Sequence, residues 1–482
     1  MNLNHYLKTI YNSKVTIPHG YEEVADSVGV RSTHHTFFHA LKLTGVVAAA
    51  TFGALVLAAV GSVLISGLEI DSHTQSVQKA RFSVYDANLV KTSTFKRLNT
   101  VNYTAEQENN PIDPDFKYGV NQFACNSFAT IDKKKNYAYS PLMLYTQLDL
   151  ISCAVSDEET KAQFDAALQS DNVTLRKEGV ATAMRNNFFA NDSLKCTVQT
   201  KNAVFLEEEF GAADRFVQDM TERNAEIFEM DFDNPDDVGK ACQWANASVN
   251  SPDFLKPDDL NLEDDSGMLF LSSLYFDNTW ERKFAKEDTK PDDFHLLDGT
   301  TVEVDFMNHV THAAFTDQIK YVSVTDCYAS DYSIQYFVPK NVKDNIFDIL
   351  PHDFLFKADT NYETCSLSLP KISLTCASDL TDMVKDLGLT NPYVKYSNHL
   401  RNAFKNGAVD YSYLNYTKQK TNVSFDEDGT VVKTIHVTLG ATGTSYEGGS
   451  GHHIILNQPF VYCIRDPKGL PLIVGSVLNP EN

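Results

Sequence analysis

Positive charge is scarce in this sequence of 482 residues. Lys and Arg together number 41 against 64 Asp and Glu, so the formal net charge is −23. Proteins that bind nucleic acid or other polyanions carry basic patches. The one basic cluster here, Lys133 to Lys135, is typical of a solvated turn. The composition therefore argues against nucleic acid, heparin-like polyanions and acidic lipid surfaces as main partners.

Motifs for catalysis and for cofactor binding are also missing. The sequence has no phosphate-cradling glycine loop, no paired-cysteine zinc site and no H-E-x-x-H. The glycine-rich stretch around Ser450 lacks the glycine that a hydrolase elbow needs two places after its serine, because His452 stands there. His452 and His453 are adjacent, so in an extended segment their side chains point to opposite faces and make a poor metal pair. We expect no enzyme activity, no cofactor and no metal site.

Cysteines are few and scattered. The chain has 8 of them, and none forms a C-x-x-C pair. This spacing does not build a disulfide framework, but it is compatible with free thiols and with one or two bridges. At 43% hydrophobic and 11% aromatic residues, the chain can bury one or two full cores. The sequence therefore describes a globular protein.

One long run carries no charge. Between Lys42 and Glu69 lie 26 uncharged residues, enough to cross a hydrocarbon layer of about 30 Å as a helix. Because 42 residues precede the run, it resembles a signal anchor more than a cleaved signal peptide. Basic residues just before it favour an N-terminus in the cytosol. We predict a single-pass membrane protein whose following domain is luminal or extracellular, with secretion after cleavage of the anchor as the alternative.

Features of a secreted chain follow this segment. All eight cysteines lie after it. The same holds for the Asn-x-Ser/Thr sequons, which are glycosylation candidates on the luminal side of a membrane. They are Asn102, Asn172, Asn191, Asn246, Asn415 and Asn422.

The chain divides by pattern into four parts. We predict a cytosolic tail at 1–42, a transmembrane helix at 43–68, a linker or stalk at 69–114 and a folded domain at 115–482. The linker shows no sustained hydrophobic period. In the domain, helical periodicity comes first and strand patterns dominate afterwards, which indicates an α+β fold with mostly antiparallel sheets.

Several separate stretches resemble the serpin family, in order, over nearly all of 115–482. Asn-Tyr-Ala-Tyr-Ser-Pro at 136–141 is similar to the start of the family's second helix. Leu274 to Phe284, followed by Phe-His-Leu-Leu-Asp-Gly, resembles its most recognisable block. Leu369-Pro370-Lys371, Asp-Glu-Asp-Gly-Thr at 426–430 and the closing run from residue 457 to Pro480 resemble its other motifs.

The resemblance implies a particular architecture and activity. The fold would have about nine helices packed on three mostly antiparallel sheets, with an exposed reactive-centre loop at about 429–456, preceded here by the single transmembrane helix. The loop would serve as bait for an endopeptidase. When the protease has cut the loop and is joined to it as an acyl-enzyme, the hinge side would insert into the main sheet as a new strand and trap the enzyme.

The same resemblance assigns residues to the loop. The hinge would comprise Glu427, Gly429, Thr430, Val432 and Thr434. Alternation along the strand-like run puts Thr430, Val432 and Thr434 on one face, which is suited to a core. The family's register places the scissile bond at Gly443-Thr444, with Tyr446 as the alternative because the loop is longer than in common members.

Two departures from the family's pattern bear on inhibition. Its hinge favours small residues, whereas Val431, Val432 and Ile435 are bulkier. A hydrogen-bonded cluster that controls opening of the sheet would include Ser140, and its matching positions here hold Met143, Ser272 and Gln419. Ser272 and Gln419 retain the ability to pair, but Met143 cannot donate a hydrogen bond from its side chain.

We therefore predict an inhibitor of a serine protease of chymotrypsin- or elastase-like specificity, with a cysteine protease as a further alternative. No Lys or Arg lies between Thr434 and His453, which argues against trypsin-like targets. The rival hypothesis is a serpin fold without inhibition, acting as a binding or carrier module or as a cleavable decoy.

Overall fold

The structure is a computed structural model. It describes residues 93–104, 107–263, 265–357, 359, 361–405, 409–433 and 452–481. The predicted tail, the predicted membrane helix and residues 69–92 of the predicted linker lie outside these ranges. Within them, no helix has both the length and the apolar character that spanning a membrane requires.

The described ranges contain eight α-helices. They are α1 Pro114–Ala129, α2 Pro141–Ser152, α3 Glu158–Ala167, α4 Val173–Asn186, α5 Asp214–Glu222, α6 Pro235–Ser248, α7 Ile346–Ile349 and α8 Thr381–Asp386. Short 3-10 turns lie at Pro257–Leu260, Lys286–Asp288, Phe354–Phe356, Asn391–Tyr393 and Arg401–Ala403.

Local chemistry explains where helix α2 begins. The Ser140 hydroxyl accepts a hydrogen bond from the Met143 N–H, and Pro141 occupies the first helical turn. A serine cap satisfies one of the orphan donors of the helix start, and proline there sacrifices no hydrogen bond. The Ser-Pro pair therefore fixes the position of α2 behind the sheet.

Strands make up most of the rest. In chain order they are β1 Lys96–Arg97, β2 Tyr137–Tyr139, β3 Phe188–Asn191, β4 Cys196–Glu207, β5 Ala225–Met230, β6 Met268–Thr279, β7 Lys290–His295, β8 Thr301–Asp317, β9 Tyr321–Cys327, β10 Ser333–Pro339, β11 Asn361–Pro370, β12 Ile372–Asp379, β13 Lys418–Phe425, β14 Gly429–Lys433, β15 His452–Ile455, β16 Phe460–Arg465 and β17 Pro471–Val477.

These strands form two sheets. The first has eight strands in the order β1-β5-β4-β6-β14-β13-β12, with β3 paired to β4. The second has nine in the order β15-β11-β8-β9-β10-β16-β17-β2, with β7 paired to β8. Among the described strands, only the β4/β5 and β11/β15 pairs are parallel, so the predicted α+β fold with mostly antiparallel pairing is confirmed.

The count of elements corrects the expectation of about nine helices on three sheets. The described residues have eight α-helices and two sheets. The physical reason for two sheets is the length of β8, which has 17 residues. It pairs with β7 along its first part, with β11 over most of its length and with β9 at its end. One long strand thus joins what would otherwise be two separate sheets.

The first sheet is covered on both faces around β4. Along β4, Val204 and Leu206 belong to the main core, which the sheet shares with α1, α2 and the second sheet. The alternate residues Ala203 and Phe205 face a smaller apolar cluster under α6. Because successive side chains of a strand point to opposite faces, this part of β4 is buried between two layers, whereas the edge strand β12 exposes its alternate side chains.

The packed domain starts before residue 115. Asp237, at the start of α6, accepts hydrogen bonds from Ser93 and from Thr94. Strand β1 then pairs with β5 at the edge of the first sheet. The described part of the predicted linker therefore belongs to the folded domain, which includes residue 93.

All eight cysteines are free. Of the two alternatives that the spacing left open, the structure has free thiols. Burial raises the pKa of Cys125, Cys242 and Cys327, each to about 11, so these thiols are protonated near neutral pH.

Candidate functional site: the hinge strand in the central sheet

Strand β14 lies between two central strands of the first sheet and connects them. Thr430 pairs with Asn278 of β6 on one side and with Phe425 of β13 on the other, both antiparallel. Within the described residues, β6 and β13 do not pair with each other. Beyond β14, the stretches 268–275 of β6 and 418–421 of β13 therefore have no described partner on their facing edges.

The side chains of β14 alternate between the core and the opposite face. Thr430 is 0% exposed and Val432 is 3% exposed. The Tyr328 hydroxyl donates a hydrogen bond of 2.7 Å to the Thr430 hydroxyl. Val431, between them, is half-buried. The core face thus accepts a hydroxyl and a β-branched side chain without leaving either in solvent.

A tight turn precedes the hinge strand. One carboxylate oxygen of Asp426 accepts hydrogen bonds from the backbone N–H groups of Asp428 and Gly429, at 2.9 and 3.1 Å. The neighbouring segment 280–284 supports the same turn. The N–H of Trp280 donates to the carbonyl of Asp428, and the N–H of Phe284 donates to the carbonyl of Glu427, both at 3.1 Å.

Glu427 fixes this turn to strand β12. Lys371, next to β12, places its ammonium 3.0 Å from both carboxylate oxygens of Glu427, and the Thr289 hydroxyl donates at 2.9 Å. Burial alone would raise the pKa of Glu427, but the backbone N–H, Lys371 and Thr289 together lower it from its ordinary value of 4.5. The carboxylate is therefore held in its charged form.

Gly429 is required by close packing. A Cβ at this position would lie 2.1 Å from the carbonyl oxygen of Asn278 on β6. No side chain tolerates such a contact, so β14 can approach β6 only because residue 429 is glycine.

The predicted sheet-opening cluster is only partly assembled. The Ser140 hydroxyl caps α2, and the backbone N–H of Ser140 is 3.4 Å from the Gln419 side-chain oxygen. Met143 is buried below it. The hydroxyl of Ser272 is buried without a hydrogen-bond partner in the described part of the chain, so it does not pair with Gln419.

The sequence reasoning missed three residues of this site. Lys371 and Thr289 complete the pocket of Glu427, and Tyr328 binds Thr430. Of these, only Lys371 stood in a recognisable motif, Leu-Pro-Lys. The other two come from distant strands or turns, and only the fold brings them to the hinge.

Several predicted loop residues lie outside the described ranges. These are Thr434 of the hinge, the proposed bait residues Gly443, Thr444 and Tyr446, and also Ser450. The loop is described again at β15, where the His452 ring lies 3.0 Å from the Glu363 carboxylate and stacks on Phe315.

The glycosylation candidates differ in accessibility. Asn102, Asn172 and Asn415 are exposed. Asn246 is buried, and its amide group makes three hydrogen bonds, to the backbone of Pro252 and Leu255. Asn191 and Asn422 are half-buried. A glycan therefore fits the folded domain best at the three exposed positions.

Comparisons with known proteins point to one family. The family model described as Serpin (serine protease inhibitor) matches residues 118–480. Serpin-Z3 of Arabidopsis thaliana is 26% identical over 228 residues, which cover 45% of this chain and 58% of that protein. An alpha-1-antitrypsin-like protein of Tamias sibiricus is 22% identical over 374 residues, 74% of this chain and 87% of that protein.

A solved structure matches the fold. The chain superposes on the thermophilic serpin tengpin in its native state with a TM-score of 0.65 and 23% identity, over 79% of this chain and 97% of that one. This likeness concerns the arrangement of helices and strands.

Replacing Gly429 by alanine tests whether close packing seats β14. We expect Gly429→Ala to lower the free energy of unfolding by about 1–3 kcal/mol, since overpacking forces the backbone apart. Hydrogen exchange should show faster exchange at Thr430 and Val432. The matched control is Gly239→Ala in α6, where no atom lies within 4 Å and alanine favours the helix. Equal behaviour of the two variants would contradict the packing argument.

The charged state of Glu427 predicts a pH dependence. Its pKa is lower in the folded chain, so its contribution to stability is present above the ordinary value of 4.5 and is lost as the pH falls through the folded value. We expect Glu427→Gln to melt at a lower temperature than the wild type at pH 7 and to approach it below pH 4.5. A melting difference that stays constant across this range would refute the assignment.

Proposed function

The chain belongs to the serpin family of serine protease inhibitors, and from this premise we propose that it traps an endopeptidase by inserting its cleaved loop into the first sheet. Proteins of this family are inhibitors rather than enzymes. The observation that carries the proposal is the position of β14, the start of the loop, as the only described link between β6 and β13.

The edges of β6 and β13 that have no partner among the described residues supply a driving force. A strand entering between them gains hydrogen bonds on both sides and buries alternate side chains, which an exposed loop cannot do. Each such backbone bond contributes roughly 0.5–1.5 kcal/mol net. A loop of several residues thus has a large energy difference between its exposed and inserted forms.

The register of β14 specifies where the next residues would go. Val432 lies opposite Phe276 and Val423. Continuing in step, Thr434 would face Leu274 and Thr421, and His436 would lie between Ser272 and Gln419. Ser272 has a buried hydroxyl without a partner in the described residues. Insertion would thus provide this hydroxyl with a polar neighbour.

The bait assignment follows the same proposal. The scissile bond is placed at Gly443-Thr444, with Tyr446 as the alternative. The tyrosine suits a chymotrypsin-like pocket, and Leu439 suits an elastase-like one. We therefore propose a serine protease of one of these specificities as the target, with a cysteine protease as the further alternative.

A non-inhibitory role is the second candidate. It rests on the β-branched hinge, because Val431, Val432 and Ile435 are bulkier than the small residues of inhibitory members and would slow insertion. The burial of Val432 at 3% exposure argues for the inhibitor, since the core accommodates this side chain. A cleavable decoy or a carrier module would need no such fit.

The membrane anchor stays a proposal of the sequence alone. It rests on the 26 uncharged residues between Lys42 and Glu69. With this segment as a signal anchor, the domain would face the lumen or the exterior, and proteolysis near residues 69–92 would release it.

Incubation with chymotrypsin-, elastase- and papain-like proteases tests the trap. We expect an SDS-resistant covalent adduct with at least one of them, and a large gain in heat resistance after the loop is nicked. Thr434→Arg should abolish the adduct, because an inward-facing arginine cannot enter the core. Ile435→Arg, on the opposite face, is the matched control and should retain it. Clean cleavage without any adduct would favour the decoy.

Membrane attachment is tested in cells. We expect the full-length chain to stay in the membrane fraction after alkaline carbonate extraction and a chain lacking 43–68 to be released. Glycans should map to Asn102, Asn172 or Asn415. A carbonate-soluble full-length chain would rule the anchor out.

A further inference from the structure

We propose that His309 is a proton-sensitive positioning residue for the hinge: in its protonated form it holds the segment 280–284 against the hinge turn. The inference deepens the proposed function, since it concerns the turn from which the inserting strand begins. It stands on the geometry of a buried histidine, a buried carboxylate and a backbone carbonyl.

The His309 ring is enclosed on three sides. It stacks on the Phe284 ring with centroids 3.8 Å apart. Its Nδ1 lies 3.1 Å from the carbonyl oxygen of Arg282, and its Nε2 lies 3.5 Å from a carboxylate oxygen of Asp326. The side chains of His309 and Asp326 are only 7% and 5% exposed. The Nδ1 contact with Arg282 faces solvent, whereas the Nε2 contact with Asp326 is enclosed.

The carbonyl of Arg282 and the carboxylate of Asp326, which face the two ring nitrogens, are both hydrogen-bond acceptors. A carbonyl oxygen cannot donate, and neither can a carboxylate. A neutral imidazole has one N–H, so it satisfies either Arg282 or Asp326 and turns a bare nitrogen towards the other. The imidazolium donates from both nitrogens. Nε2 of His309 and the facing oxygen of Asp326 are both buried, and neither makes a hydrogen bond within the described residues.

The other oxygen of Asp326 is already engaged. It accepts hydrogen bonds from the backbone N–H of Cys327 at 3.0 Å and from the Thr311 hydroxyl at 3.3 Å. The carboxylate is thus fixed in place with one oxygen aimed at the ring. A buried charge of this kind is stabilised only when a partner of opposite charge faces it.

The segment that His309 contacts supports the hinge turn directly. Trp280 and Phe284 donate their N–H groups to the carbonyls of Asp428 and Glu427. Arg282, whose carbonyl accepts from the ring, lies between them. An anchored Arg282 therefore restrains both donors, and through them the start of β14.

The groups around the contact between His309 and Asp326 supply no competing cation. Burial raises the pKa of the thiols and phenols around Asp326, which keeps them neutral. They are Cys327 on β9, Cys365 on β11, Tyr328 and Tyr336. Glu281 and Asp331 also lie close enough to Cys327 to act on it, and they add negative charge rather than a competing cation. The ion pair of Glu427 with Lys371 holds the other side of the turn.

Hydrogen exchange at two pH values tests the inference on the intact domain. Protection factors, corrected for the intrinsic pH effect, should rise roughly threefold to tenfold for the amides of Trp280 and Phe284 between pH 7.5 and 5.5, as expected for a hydrogen bond to a charged group. Asp326→Asn should remove this rise while keeping the fold, because its amide donates to the neutral ring. His309→Phe should remove it as well. His312→Gln, an exposed histidine of the same strand, should retain the wild-type rise.

A flat pH response in the wild type, or an unchanged response in Asp326→Asn, would overturn the proposal. Trapping assays at the same two pH values separate it from the proposed function. A pH-dependent protection without covalent adducts would leave the His309 contact standing and remove the inhibitor. Covalent adducts together with a protection that does not change with pH would support the inhibitor and refute the role of His309. Where both hold, a better anchored turn should raise the trapped fraction at pH 5.5 in the wild type relative to Asp326→Asn.

Discussion

The main constraint on this structure is that the central strands β6 and β13 both need a hydrogen-bonding partner along their facing edges. Strands β6 and β13 each have one edge paired, to β4 and to β12, and only β14 connects their facing edges in the described chain. Backbone N–H and C=O groups in a buried sheet need partners. In the described chain a strand of 5 residues stands between strands of 12 and 8 residues, so parts of both longer strands have no described partner on their facing edges.

The hinge turn is held from several directions. Lys371 binds Glu427 from the side of β12, and the Trp280 to Phe284 segment donates to the turn from the side of the second sheet. A buried carboxylate is unfavourable unless its oxygens are bonded, and here two donors meet it. The anchoring of the turn is therefore polar, whereas β14 itself combines one buried hydrogen bond, from Tyr328 to Thr430, with the apolar packing of Val432.

Much of the fold could be predicted from short patterns. The resemblance of the Ser-Pro pair at Ser140 to the family's motif indicated a helix start, and alternation along the run from Thr430 predicted which side chains face the core. The structure explains both by local effects, the serine cap and the strand period. The union of the two smaller sheets was not predictable, because it depends on how far β8 continues its pairing.

The residues of the candidate site also fall into two groups, those that the sequence could indicate and those that only the fold brings together. Glu427 and Gly429 stood in a motif that was recognisable in the sequence. Thr289, Tyr328 and His309 did not, since each is more than 100 residues from the hinge residue it serves and has no pattern of its own. The β1 strand was missed because its two residues are too few to show a period.

The β-branched hinge has opposite effects on the end state and on the rate. Val431, Val432 and Ile435 have stiff side chains that lose little freedom on entering a sheet, so they favour the inserted strand once it has formed. In the proposed mechanism, their bulk would also have to pass between β6 and β13 before the edges close around them. Equilibrium would then favour insertion at these positions, while trapping would depend on whether insertion is faster than release of the protease. An anchored turn would speed insertion by fixing the register of the entering strand in advance.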